Sequence, residues 1–597
     1  MENALVKTSE TNGLASGLLV CLLTFGAFIF YVLFAVSAGS PLFGSDEYAY
    51  FISGKYRSEL QTLYTLDPGL QRITNLLYFK IVHAFIAVFG SHFVDGFRVI
   101  HALEYIITAL LLYQTTVSLV DRRSALLGVT AFLLMPTHIY IYAVMPEIEL
   151  LMASALLGFV VVRVFPKRAV AGSFLSGIIL AFAILIKPHA VAMLLAVLVV
   201  FALAGYWRRA GNRFLRSVSD CGITLIACYV SLVILWRLSS GYWNLDPSAA
   251  LGLQFYGSYL HSAGVTVPLN SKILSAISYA GAHLAIVLLI FSPVMVWTGA
   301  RIWRTTVRRD DQSEDAEQAR SMLALFSLTM LLSHVAMTAW FTAGAAALNQ
   351  GEALRLHGRY LGPALLFFPM AYFFALKDMT LAGRRMTTAL IAFSLLVCTG
   401  VVFKNYKIFP WDYPLAFAFF NPQNWYHWGH PLSVSGLGNA ISVAILAGLL
   451  ASLLTTRFQT KILIIQLFLI LAVGSFQTYG WVYAQLQENQ VTNATSRALG
   501  TLLGAEQIGK GVLVSEERYG KAAYILFGLG NAPVVITRKS GVAVTERDVQ
   551  GADWLLLDGD YPLSFQPQGS LEVGDLRLIV LNPHALRGRL NIVNNVP

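Results

Sequence analysis

About thirteen apolar runs of near membrane-spanning length dominate this chain and leave few folds open to it. They lie near residues 14–36, 99–119, 124–143, 149–165, 172–186, 189–205, 219–237, 275–299, 321–345, 359–376, 385–403, 434–455 and 460–480. A hydrocarbon core about 30 Å thick takes roughly 20 apolar residues per helix. Composition agrees: 56% of the 597 residues are hydrophobic and 12% are charged, against about 25% charged in soluble domains. The expected fold is a polytopic α-helical membrane protein of about 13 transmembrane helices.

The net charge of +10 could point to nucleic acid, but its distribution does not. Basic residues come in small groups between the apolar runs, as in "WRRAGNR" and "RIWRTTVRR". That is the pattern of cytoplasmic loops rather than of a phosphate-tracking groove, so no nucleic-acid partner is expected. Cys21, Cys221, Cys228 and Cys398 all fall inside apolar runs, which indicates neither a disulfide framework nor a thiolate zinc site. The run 14–36 is too long for a signal-peptide core and reads as a retained first span.

A cytoplasmic N-terminus and strict alternation put every strongly basic short loop on one side. These loops hold Arg122/Arg123, Lys167/Arg168, Arg208/Arg209/Arg213/Arg216, Arg301/Arg304/Arg308/Arg309/Arg320, Lys377/Arg384/Arg385 and Arg457/Lys461. In this topology 74–90 is a helix lying at the outer interface, because Lys80 and His83 interrupt it. The outer side then receives 37–98, the turn at Met145–Glu147, and the stretches 238–272, 346–358 and 404–433. It also receives everything after about residue 481. There "KGVLVSEERY", "APVVITRKS", "DWLLLDGD" and "DLRLIVLN" read as short β-strands with helical stretches between. The chain therefore divides into a transmembrane unit over 1–480 and a small soluble α/β domain over 481–597. "GLGNAP" lacks the context of a nucleotide site.

Four polar clusters converge on the outer face in this topology. Asp46 and Glu47 sit in "GSDEYAY" (44–50), and Glu147 in "MPEIE" (145–149). Lys187 and His189 break the apolar sequence in "IKPHA" (186–190), and "EALRLHGRYLGP" (352–363) carries Glu352, Arg355, His357, Arg359 and Tyr360. Glu147 alone is equally a solvated helix cap, and Lys187 alone a snorkelling lysine. The arginines are more telling. A planar fork of donors suits phosphate oxygens, and these lie on the side where positive charge is scarce. The aromatic loop 407–431 reads either as an interfacial belt or as a lid in which Asp412 or Asn424 bonds sugar hydroxyls.

The combination resembles the GT-C superfamily of integral membrane glycosyltransferases, which use polyprenyl-phosphate-linked sugars. "SDE" at 45–47 matches the acidic position after that family's first span, and "HGRYLGP" (357–363) is similar to its His-x-Arg-Tyr element. "LDPGLQRITNLLYF" (66–79) resembles its first outer loop, "FRVIHAL" (97–103) the entry to its second span, and "MPE" (145–147) its second acidic loop. The resemblance implies a GT-C-like fold with interfacial helices in the first outer loop. It also implies an inverting glycosyltransferase that moves one sugar from a polyprenyl monophosphate to an acceptor hydroxyl. Asp46 would be the catalytic base, with Arg359, Tyr360, His357 and Lys187 on the donor phosphate. Glu47, Glu147, His189 and Glu352 would support the acceptor, the sugar or a metal.

Some members use a divalent ion and others do not, so no cofactor is certain and a divalent metal stays open. The implied partners are the lipid-linked sugar, the bilayer and a glycan, lipid or protein acceptor. The implied location is the bacterial inner membrane, with the C-terminal domain periplasmic. Arabinofuranose, mannose and aminoarabinose all remain open as the sugar. A lipid-linked glycan transporter or flippase, and an oligosaccharide ligase, are the competing readings. Ionisable residues gathered at span ends, rather than at mid-depth, speak against transport.

Overall fold

The computed structural model describes residues 2–37, 45–55, 76–207, 212–241, 268–308, 315–346, 353–409, 412–419, 436–454, 459–503 and most of 510–582. Among them, nine helices are long and apolar enough to cross a membrane, or eleven if each of two bent helix pairs is one span. The thirteen runs expected from sequence exceed this by two, 149–165 and 434–455. The first forms a 13-residue helix, Glu147–Phe159, continued by a π-turn over Val160–Val164. The second forms the 19-residue helix Gly436–Leu454, whose side chains are described over Gly438–Leu449. The helix at Leu76–Phe89 has 14 residues, about 21 Å. That is too short for the core and fits the interfacial assignment.

The helices share one large apolar core reaching from Val20 to Val482. Many apolar side chains also point outward, among them Leu22, Phe25, Leu33, Ile226 and Phe476. A water-soluble protein would not leave so much apolar surface uncovered, and lipid tails are its natural solvent. Proline shapes the bundle. Pro293 lies inside Leu269–Trp303, where Phe291 departs from helical geometry (φ −119°, ψ 22°), as a missing amide donor requires. Pro136 starts a 3-10 segment, Pro136–Tyr142, bent 53° from Arg122–Leu133. The fully buried Arg98 fixes this bend: its Nε donates to the Tyr142 carbonyl at 3.0 Å and its Nη1 to the Ala35 carbonyl at 3.3 Å.

The helix Gln459–Leu503, 45 residues long, leads out of the bundle into a five-stranded sheet. The strands are β1 (Gly511–Ser515), β2 (Val534–Thr537), β3 (Trp554–Asp558), β4 (Gly569–Val573) and β5 (Leu576–Val580). Their order is β2-β1-β3-β5-β4; β1 pairs parallel with β2 and β3, and the β3–β5 and β5–β4 pairs are antiparallel. Alternation along the strands gives two cores, one on each face. Leu513, Leu556 and Leu578 pack with Leu499, Ile525 and Leu526, while Val512, Val514, Leu555 and Ile579 pack with Tyr561. Tyr48, beside Asp46 and Glu47 in the Ser45–Lys55 helix, packs against the first of these cores.

Candidate active site

Pro188 ends the Ala169–Ile186 helix. The residue before a proline is pushed into extended geometry, and Lys187 has φ −153° and ψ 122°. This break turns the Lys187 ammonium into the bundle, where it pairs with Glu147; both side chains are 6% exposed. Glu147 is the first residue of its helix, where a carboxylate suits the positive end of the dipole. The pair closes one wall of a cavity of ≈ 370 Å³, counted with the space that opens to solvent. Tyr140, His189, His334, Arg359 and Tyr360 complete its polar lining.

The second half of the site is built from residues 353–363. Leu356 N donates to the Lys407 carbonyl at 3.4 Å and Lys407 N to the Leu354 carbonyl at 2.6 Å, so the strand-like stretch is clamped to 406–408. Arg355 and His357 then face the same way, and a 3-10 turn over Gly358–Leu361 follows. Arg355, His357 and Arg359 all turn toward Asp412, which is fully buried. Arg355 grips it bidentately, through Nε and through Nη2 at 3.1 Å, while His357 Nδ1 and Arg359 Nε stand at 3.9 and 4.0 Å. Gly358 is required between them, because a Cβ there would come within 2.1 Å of the Tyr413 ring.

Tyr360 joins the two halves. Its ring stacks on His189 with centroids 3.9 Å apart, Lys187 Nζ lies 5.2 Å from its centre, and Arg359 Nη2 donates to its hydroxyl at 3.2 Å. The structure thus brings together Glu147, Lys187, His189, Arg359 and Tyr360 around one cavity, with His357 buried on its flank.

Of the remaining expected residues, Glu352 lies outside the described residues. Asp46 is placed in the first turn of the Ser45–Lys55 helix, but its side chain lies outside the described residues. Glu47 is buried and accepts from Val144 N at 2.7 Å, which ties the first loop to the turn before Glu147. Tyr78, near the start of the Leu76–Phe89 helix, lies where these carboxylates converge. Burial pushes its phenol well above the ordinary range, with Glu149, Tyr50, Glu147 and Glu47 adding to the effect.

The lid reading of Asp412 is corrected: its carboxylate is fully buried and bound by Arg355, which leaves it no open side toward a sugar. Asn424 lies outside the described residues. Sequence reading missed Tyr140 and His334, each hidden in an apolar run. An ionisable group in such a run was the available signal.

Residues 76–236 match the family model for dolichyl-phosphate-mannose-protein mannosyltransferase. The matched stretch lies within the part of the chain that carries the GT-C resemblance. No curated protein matches the chain in sequence. Among solved structures, one similar fold is ArnT from Cupriavidus metallidurans bound to undecaprenyl phosphate, at 12% identity and TM-score 0.45, covering 94% of this chain and 97% of that one. The apo state of the same protein is similar at 13% identity and TM-score 0.48, covering 95% and 98%. An oligosaccharyltransferase from Archaeoglobus fulgidus, tethered with an acceptor peptide, is similar at 11% identity and TM-score 0.37, covering 90% and 69%.

Proposed function

We propose that this protein transfers a single sugar from a polyprenyl-monophosphate donor to an acceptor hydroxyl, with inversion, at the outer face of a bacterial inner membrane. The observation that carries this reading is the cavity that gathers Lys187, Arg359, His189, Tyr140 and Tyr360 around Glu147. Cations and hydroxyl donors in a water-poor pocket match the charge that develops on a phosphate leaving group. The match of 76–236 to a family model named for a dolichyl-phosphate sugar points the same way.

In the proposed reaction the acceptor oxygen attacks the anomeric carbon as the bond from that carbon to the phosphate oxygen breaks. The bonding pair leaves with the lipid phosphate, which gains negative charge. Arg359 and Lys187 meet that charge, and the Tyr360 hydroxyl, which accepts from Arg359, holds its guanidinium in place with Asp412 behind it. Glu147 keeps Lys187 in the pocket before the donor arrives. Asp46 takes the acceptor proton, a role that requires hydrogen-bond reach of roughly 2.6–3.2 Å. Nothing in this sequence of steps calls for a metal. The C-terminal domain meets the first-loop helix at Tyr48, which suits a role in guiding the acceptor toward Asp46.

Turnover tests the reading. Purified protein is incubated with radiolabelled polyprenyl-phosphate sugars, including arabinofuranose, mannose and aminoarabinose, and free lipid phosphate is measured. Release by the wild type and loss of about a hundredfold or more in Asp46→Asn is expected, as for removal of a general base. Equal release by both proteins removes the base assignment, and no release from any donor removes the reaction.

A further inference from the structure

A second cluster of ligating side chains lies apart from the cavity. His101 and Glu104 sit one turn apart on Phe93–Thr116 and face Glu149 in the first turn of the neighbouring Glu147–Phe159 helix. One ligand atom from each residue lies within 4.8 Å of the other two. His101 is fully buried and Glu149 is 4% exposed, while Glu104 is half-buried. His101 Nε2 stands 3.2 Å from Glu149 Oε1.

An independent observation concerns the oxygens that remain. Glu149 Oε2 and Glu104 Oε2 are both buried without a hydrogen-bond partner. Among the described residues neither carboxylate meets a lysine or arginine. Two carboxylates stripped of water repel each other strongly, and one imidazole cannot offset both. Such a cluster persists inside a membrane protein only with a cation or bound protons between its members. The donor set selects the cation. One imidazole nitrogen and two carboxylate oxygens suit borderline transition ions, zinc first, rather than magnesium or calcium with their all-oxygen shells. The other ring nitrogen, Nδ1, is turned to the Ile141 backbone, short of hydrogen-bond geometry. That orientation leaves Nε2 to face the ion.

We propose that His101, Glu104 and Glu149 bind one divalent transition-metal ion of the zinc class. The ion ties the Phe93–Thr116 helix to the start of the helix that carries Glu147, two residues from Glu149. It is thus a positioning element beneath the cavity, and its existence does not depend on the transfer reaction.

The test uses untagged full-length protein in detergent, stripped with chelator and titrated with Zn²⁺, Co²⁺ or Mn²⁺. Metal content and calorimetry are read for wild type, His101→Ala, Glu104→Gln and Glu147→Gln. One equivalent of Zn²⁺ per chain is expected in the wild type and in Glu147→Gln. Affinity should fall by about tenfold or more in His101→Ala and Glu104→Gln, a loss typical of damage to a metal site. Zn²⁺ should raise the melting temperature of wild type and not of Glu104→Gln. Three results overturn the proposal: no stoichiometric binding of any of the three ions by wild type, unchanged affinity in Glu104→Gln, or loss confined to Glu147→Gln. The first would leave protons holding the cluster.

Discussion

Arg355 and Arg359 share Asp412 but stand in different relations to it. Arg355 makes the two close bonds, and Arg359, at 4.0 Å, lines the cavity instead. Their alanine variants should therefore fail differently. Arg359→Ala should keep its melting temperature within a few degrees while the donor KM rises or kcat falls by about a hundredfold, the scale of losing one charge-stabilising donor. Arg355→Ala should chiefly destabilise, because it leaves a buried carboxylate without its close partner. Removing one member of a buried pair costs about 3–5 kcal/mol, and the partial exposure of Arg355 places this case toward the lower end. Thermal melting beside donor kinetics distinguishes the two, and identical profiles would contradict the division of labour. Asp412 itself was not legible as a counter-ion. Its partner lies 57 positions away, and its aromatic surroundings suggested a lid. His101 and Glu104 were hidden for another reason: inside a long apolar run, window hydropathy averages over a few ionisable groups.

At the level of elements, the polar site residues that could be read from sequence were those that interrupt a helix. Lys187-Pro188-His189 and "HGRYLGP" both break apolar runs, and proline or glycine marks where the chain must turn. At 149–165 the helix begins on two buried glutamates, Glu147 and Glu149, and continues through a π-turn to Val164. Gly358 shows how tightly one such break is built, with the Tyr413 ring against its backbone. Gly358→Ala should lose about 1–3 kcal/mol through overpacking and displace Arg359. Trimming the ring in Gly358→Ala/Tyr413→Leu should recover part of the melting temperature. A double variant no better than the single one would show that the glycine acts otherwise.

For the whole molecule, hydropathy alone pointed to the class of fold, and the short β-type runs after residue 481 pointed to the C-terminal sheet. Neither gave its packing against Tyr48 of the first-loop helix, because a contact across more than 400 residues leaves no local pattern. Binding of polyprenyl phosphate to protein in nanodiscs tests most directly whether this one cavity receives a lipid-linked phosphate. Wild type should bind saturably, and a photoreactive polyprenyl-phosphate probe should label peptides containing Tyr140, Lys187 or Arg359. Arg359→Ala should weaken binding by about tenfold or more, the worth of one charge-assisted contact. Equal binding by Arg359→Ala and wild type, or labelling confined to peptides remote from this cavity, would contradict the account.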